Sequence, residues 1–217
     1  MFDFDDRQEG GSTGPWISWK AKGTEDRSVN PKSFAIRGKD GEETYTRQFD
    51  GFARGVALDL ESCQQGYIKD GTRNMPPERK WGVRDRPDDS KKASGAYAWS
   101  KAFSIRVATS KTETATWEDA SWGGYEGFRR LAGKIKAAGD KPEQSPVVRI
   151  VGTEDGESAR GKFSVPIFDI VQWVNKPAVF TQAQTMAFDD TPEPARAPQP
   201  AAKPAPAPMP PDIEDFG

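Results

Sequence analysis

Aromatic residues alternate with lysines and arginines in the central third of the chain. Single-stranded nucleic acids are held by aromatic rings that stack on bases and by cations that contact phosphates, without sequence readout. Strands that face solvent on one side can present both residue types together. The residues that we predict to bind DNA in this way are Arg37, Arg79, Trp81, Arg84, Arg86, Tyr97, Trp99, Lys101 and Arg106.

The seven tryptophans cannot all be stacking platforms, because a small β domain needs large apolar side chains in its core. We expect Trp117, Trp122 and Trp173 to be structural. Trp81 lies in a polar stretch that follows Met75-Pro76-Pro77, so it is the tryptophan least expected in the core.

Catalytic constellations are sparse in this sequence. The absence of histidine excludes Ser-His-Asp and Cys-His catalysis and HExxH zinc sites. The single cysteine, Cys63, excludes an internal disulfide and is expected to be a small buried hydrophobe. Asp59 and Glu61 would share one strand face, and Asp88 and Asp89 are contiguous, whereas nuclease carboxylates converge on one metal from separate strands. We therefore expect a protein that is not an enzyme and uses no cofactor or metal.

Charge differs along the chain. The net charge is -3 over residues 1–15, +5 over 16–180 and -4 over 181–217. A basic body with acidic ends is typical of proteins that bind polyanions, although acidic termini also simply aid solubility. No run of 18 apolar residues or secretory signal occurs, so we expect a cytoplasmic protein, in a host cytoplasm if phage-encoded, without membrane partners.

Residues 16–180 are predicted to form a mainly β domain. Alternating apolar residues predict strands at 16–21, 33–38, 44–49, 55–62, 97–109, 147–152 and 162–167. Apolar spacing predicts a helix at 125–138 and a shorter one at 168–174. Strands 33–38, 55–62 and 97–109, the helix, and then strands 147–152 and 162–167 follow the order of the OB-fold, a five-stranded Greek-key barrel. A long polar insertion, 69–95, separates two of these strands.

Flexible segments are predicted on both sides of this domain. Residues 1–15 form an acidic arm, and 181–217 a Pro/Ala-rich linker that contains too little apolar surface to fold. Its acidic tip is predicted to bind partner proteins through Asp212, Ile213, Glu214, Asp215 and Phe216.

Several short motifs resemble a family of bacteriophage single-stranded DNA-binding proteins. These motifs are Val56–Glu61 followed by Gly66-Tyr67-Ile68, Trp99-x-x-x-Phe103, Trp117-Glu118 before a helix, and 166–177 with Phe168, Ile170 and Trp173. Tyr67 stands where that family usually has tryptophan. The resemblance implies an OB-type barrel, sequence-independent binding of single strands, and a tail that recruits replication or recombination proteins.

The sequence therefore predicts single-stranded DNA binding and protection during phage-type replication or recombination. Two alternatives stay open: a phage structural or assembly protein with a Pro/Ala spacer, and a metal-dependent nuclease. Oligomeric state stays open as well.

Overall fold

A computed structural model describes residues 14–71, 76–92, 95, 97–158 and 161–181. The acidic arm before residue 14 and the tail with Asp212–Phe216 therefore lie outside the described residues. The strands are β1 (Trp16–Lys20), β2 (Ser33–Asp40), β3 (Glu43–Phe49), β4 (Val56–Lys69), β5 (Glu78–Trp81), β6 (Trp99–Ala108), β7 (Thr114–Asp119), β8 (Gln144–Ser158) and β9 (Gly161–Asn175). The helices are α1 (Gly51–Arg54) and α2 (Trp122–Ala137).

The fold is mainly β, as predicted, and its sheet curls into a half-barrel. The strand order is β3-β2-β1-β7-β6-β4-β8-β9, and β5 pairs with β4 beside this path. Neighbours are antiparallel except β1 and β7, which are parallel. β4 pairs with β6, β5 and β8, so this long strand joins the two arms of the sheet.

The core lies inside the curl, and α2 packs against it. Phe128, Leu131 and Ile135 are buried, as their helical spacing predicts. The ring of Phe128 stacks on Phe103 with 3.8 Å between centroids. Trp117 is fully buried at the centre, which agrees with the structural role expected for it.

Three features differ from the sequence-based prediction. Residues 168–174 are not a helix, because β9 continues to Asn175 along β8. β4 does not end at residue 62: a register shift between Asp59 and Gln64 lets it continue to Lys69. The sheet has nine strands where seven were predicted, because β5 and β7 were not foreseen.

No helix in the described part of the chain is long and apolar enough to cross a membrane.

Candidate nucleic-acid interface

The far end of β4 presents lysines on both sides of one tyrosine. Tyr67 lies opposite Lys80 of β5 and opposite Lys101 of β6. Directly paired residues of antiparallel strands point to the same face, and two strand spacings separate the two lysines by about 10 Å. Both lysines are exposed, and neither has a carboxylate partner among the described residues. The register therefore places two ammonium groups without a carboxylate partner on one surface, and Lys80 Nζ lies 5.3 Å from the centre of the Trp99 ring.

Trp99 lies beneath this surface, not on it. It exposes 2% of its area and forms a small buried cluster with Tyr67 and Ala98. Its indole Nε1 donates a 2.8 Å hydrogen bond to Asp88, and hydrogen bonds from Ser90 and Trp99 hold the pKa of Asp88 below its usual value. The prediction that Trp99 offers a stacking face is therefore corrected, because its ring is buried.

Tyr97 lies between two cations. The Arg86 guanidinium carbon is 3.5 Å from the centre of the Tyr97 ring, and Lys91 Nζ is 3.1 Å from it. Lys91 and then Arg86 lower the pKa of the Tyr97 phenol. A base can stack on this ring only by displacing a cation. In this structure Tyr97 therefore holds Arg86 and Lys91 close together and has no open face for a base.

Trp81 and Arg84 complete the group. Trp81 is half-buried on β5 opposite Gly66, and the Arg84 side chain is exposed while its carbonyl accepts a 3.3 Å hydrogen bond from the Tyr67 hydroxyl. Gly66 allows β5 to lie this close to β4, since a Cβ on residue 66 would be 2.0 Å from the Lys80 carbonyl oxygen. We call these residues the β5 cluster: Lys80, Trp81, Arg84, Arg86, Lys91, Tyr97 and Lys101.

Two predicted phosphate contacts are instead locked in ion pairs. Arg79 donates to both carboxylate oxygens of Glu118 at 2.9 Å, and this hydrogen bonding raises the pKa of Arg79. Arg106 donates to Asp59 at 2.5 and 3.1 Å and to the Phe180 carbonyl at 2.8 Å. A phosphate would have to displace a carboxylate at either site. Both arginines therefore have structural partners here, and their contact with DNA stays a prediction.

Arg37 lies apart from the β5 cluster. It is exposed on β2 opposite Trp16, and the register continues from Trp16 to Thr116 and then to Arg106. Arg37 and Arg106 thus share one row across the outer face of the sheet, as expected from their alternation with apolar residues. Apart from Arg106 in this row, the structure does not bring Arg37 to the other predicted contacts.

The acidic pairs considered for metal binding are occupied by cations or hydrogen bonds. Asp59 is buried, and Lys176 Nζ lies 3.5 Å from Asp59 and 2.5 Å from Glu61. Asp89 faces Arg86 at 3.7 Å, while Asp88 accepts from Trp99. Among the described residues, no group of three or more acidic or cysteine side chains could hold a metal ion.

Cys63 is half-buried against the core, and burial raises the pKa of its thiol to about 12. The thiol therefore stays protonated at neutral pH, as expected for a structural residue.

Sequence reasoning missed Lys80 and Lys91 as members of the cluster. The alternation of Glu78-Arg79-Lys80-Trp81 would have revealed Lys80, because a strand there separates Lys80 from Arg79 and Trp81. Lys91 had no such signal, since its position depends on an isolated bridge to Tyr97.

The positions of Trp122 and Trp173, both expected to be structural, differ in the structure. Trp122 exposes 60% of its area, so its expected place in the core is wrong. Trp173 is half-buried and packs against the core, with Lys141 Nζ 4.7 Å from its ring centre.

Comparison with known proteins finds no family model, no curated protein and no solved structure that matches this chain.

Proposed function

We propose that this protein binds single-stranded DNA without sequence preference, and protects it, through the β5 cluster. One observation supports this most directly. Lys80 and Lys101 lie on the strands on either side of Tyr67, Lys91 lies over the Tyr97 ring, and the Arg84 backbone carbonyl accepts from the Tyr67 hydroxyl. None of these four cationic residues has a carboxylate partner among the described residues. A single strand of DNA binds through phosphates, which contact free cations, and through bases, which stack on aromatic rings. A surface with both residue types therefore suits such a strand.

Stacking in this proposal depends on Trp81. Trp99 and Tyr67 are buried at 2% and 5% exposure, and both faces of Tyr97 are occupied by cations. Trp81 is half-buried on an edge strand, and it has no ring partner among the described residues. Trp81 and Lys80 point to opposite faces of β5. One base would therefore stack on Trp81 at this sheet edge, and the strand would pass round the edge so that flanking phosphates contact Lys80, Lys101 and Arg84.

An OB-type barrel is part of the same proposal. The first three barrel strands differ from the predicted 33–38, 55–62 and 97–109, because β7 lies between β6 and α2. In this proposal β4, β6 and β7, then α2, then β8 and β9 have the order of three strands, a helix and two strands. β4 also pairs with both β6 and β8, which joins the strands before α2 and the strands after it in one curled sheet. In this view β1–β3 extend the barrel sheet and β5 belongs to the connection between its first two strands. The phage-type role in replication or recombination, and recruitment of partners by Asp212–Phe216, belong to the proposal as well.

The test is binding of fluorescent oligo-dT at two salt concentrations. The logarithm of the association constant should fall with the logarithm of salt by about 0.7 per phosphate contact. The double variant Lys80→Glu/Lys101→Glu should lower that slope by about 1.4, as two contacts are lost. Lys111→Glu is the matched control, because Lys111 is also exposed but lies in the turn at the opposite end of β6.

Other outcomes identify the alternatives. A wild-type protein that binds no oligonucleotide at low salt would favour a structural or assembly role. Shortening of the oligonucleotide after addition of magnesium would favour a nuclease. A double variant with wild-type affinity and slope would place the binding surface elsewhere.

A further inference from the structure

Trp122 is unusually exposed for a large aromatic residue. It is the first residue of α2, and 60% of its area faces solvent. Its ring centre is 4.4 Å from that of Phe163, with 54° between the planes. Contact with Phe163 restricts the orientation of the indole while leaving most of it accessible. Exposure of this much aromatic surface costs free energy unless a ligand covers it.

A groove adjoins this aromatic pair. It has a volume of about 490 Å³ and is lined by Phe163 together with residues of the β1–β2 connection and the β8–β9 ribbon. Lys22, Lys32 and Lys162 line it against two carboxylates, Asp155 and Glu157. Lys32 pairs with Asp155 at 2.5 Å. Lys22 and Lys162 have no carboxylate within ion-pair distance in the described part of the chain, so two ammonium groups are free for an anion.

A buried hydroxyl also lines this groove. Ser164 is 3% exposed and lies directly opposite Asp155 in the β8–β9 ladder. Hydrogen bonding from Lys32 and then from the Ser164 hydroxyl lowers the pKa of Asp155. The N-terminus of α2 abuts the same residue, since a Cβ on Gly123 would lie 2.1 Å from the Ser164 carbonyl oxygen. The first turn of α2 contains no acidic residue that would offset the positive end of the helix dipole.

The groove and the β5 cluster lie at the same end of the sheet. β6 begins there, and Phe103 near its start pairs with Asp119 at the end of β7. The Trp19 amide at the end of β1 donates to Asp119 at 2.6 Å. β5, β4, β6, β7 and β1 are successive neighbours, so four strand spacings, about 19 Å, separate β5 from β1. A single strand of a few nucleotides can span this distance.

We propose that Trp122, Phe163 and the adjoining groove form a second subsite for single-stranded nucleic acid. One base stacks on Trp122, and the next phosphate contacts Lys22 and Lys162. This inference rests on the proposed function, since it extends the path of the same strand away from the β5 cluster.

The experiment compares oligo-dT of 4 and about 16 nucleotides, the range covered by one OB-type domain, on wild-type protein and on Trp122→Ala. Affinity for the longer oligonucleotide should fall about 5- to 150-fold, the effect of losing one stacked base. Affinity for the shorter one, held by the β5 cluster alone, should change less. Trp122→Phe should restore most of the loss because it keeps an aromatic face. Lys22→Glu/Lys162→Glu should reproduce the length-dependent loss, while Lys111→Glu should not.

Each remaining outcome counts against the inference. Equal affinity of wild type and Trp122→Ala for the longer oligonucleotide, with loss in Lys80→Glu/Lys101→Glu, overturns this subsite and leaves the proposed function standing. Absence of oligonucleotide binding by the wild type overturns both. Self-association of the wild type that Trp122→Ala abolishes, with no effect of oligonucleotide on it, would identify a second copy of the chain as the occupant, which also overturns the subsite.

Discussion

Replacing Gly66 by alanine should detach β5 from β4. The added Cβ would lie 2.0 Å from the Lys80 carbonyl oxygen and 2.9 Å from the Trp81 Cα, whereas ordinary contacts are 3.4 Å or longer. These are backbone atoms, so no rotamer change relieves the clash, and β5 must move outward by more than about 1 Å. The hydrogen bond from the Gly82 amide to the Gln65 carbonyl, now 2.9 Å, would then exceed hydrogen-bond range.

The expected cost follows from overpacking, which typically destabilises by about 1–3 kcal/mol. At about 2–4 °C per kcal/mol for a chain of this size, the melting temperature should fall by a few degrees. Because β5 is an edge strand of four residues, much of the effect should be local. Amide hydrogen exchange should accelerate in 78–82, and oligo-dT affinity should fall as Lys80 and Trp81 lose their positions.

Gly133→Ala is the matched control. Gly133 is an exposed residue inside α2, and a Cβ there meets nothing within 4 Å. Alanine in a helix interior is more favourable than glycine by about 1 kcal/mol, so this variant should be more stable with unchanged DNA affinity. A Gly66→Ala protein with wild-type exchange in 78–82 would refute the reasoning on β5.

Further outcomes are expected at other positions. Trp81→Ala should weaken oligo-dT binding by about 1–3 kcal/mol at a nearly constant melting temperature. Trp117→Ala should lower the free energy of unfolding by about 3–5 kcal/mol. Equal melting temperatures of the two variants would contradict a binding role for Trp81 and a core role for Trp117. Asp59→Ala should lower the free energy of unfolding, measured in urea, by about 3–5 kcal/mol, because it leaves the partly buried Arg106 guanidinium without its carboxylate. A decrease below about 1 kcal/mol would contradict this role of Asp59. Hydrogen bonds from Arg129 and ion pairing with Arg129 and Arg130 lower the pKa of Glu126 from 4.5 to about 2. The contribution of the Glu126 carboxylate to stability is therefore present above pH 4.5 and lost as pH falls toward 2. In Glu126→Gln, the melting temperature should depend less on pH over that interval than it does in the wild type.

Much of the architecture could be predicted from local patterns. Strands with strict alternation, such as the one containing Phe103, Ile105 and Val107, were recognised because one face is buried. The helix was recognised for the same reason, since Phe128, Leu131 and Ile135 line one side. Its true start at Trp122 was missed because Gly123 and Gly124 are poor helix formers, and here they serve close packing against Ser164 and Asp119.

The remaining strands could not be predicted because they depend on pairing between distant parts of the chain. The stretch Ser62-Cys63-Gln64-Gln65 has the composition of a turn, yet it continues β4 because the bulge after Asp59 and the partner strand β6 satisfy its backbone. β5 is a strand only because β4 pairs with it, and its residues alone read as a charged loop. Tertiary context of this kind overrides local propensity.

The candidate site was predictable in residue type but not in geometry. Cationic residues and aromatic residues do occur together at the end of β4, as the interleaving suggested. Which arginines are free depends on where Asp59 and Glu118 lie, and no spacing in the sequence reveals that Glu118 faces Arg79 across 39 positions. The same holds for Trp99, whose burial depends on Tyr67.

The parallel pairing of β1 with β7 has a consequence for the order of folding. Trp19 bonds to Asp119, 100 positions later in the chain, whereas β1, β2 and β3 pair with their sequence neighbours. Closing a loop of that length costs entropy before any contact compensates for it. During synthesis the first three strands must therefore wait until β7 has left the ribosome. At about 5–20 residues per second this delay lasts roughly 5–20 s, during which the apolar side of β1 and β2 is open to chaperones.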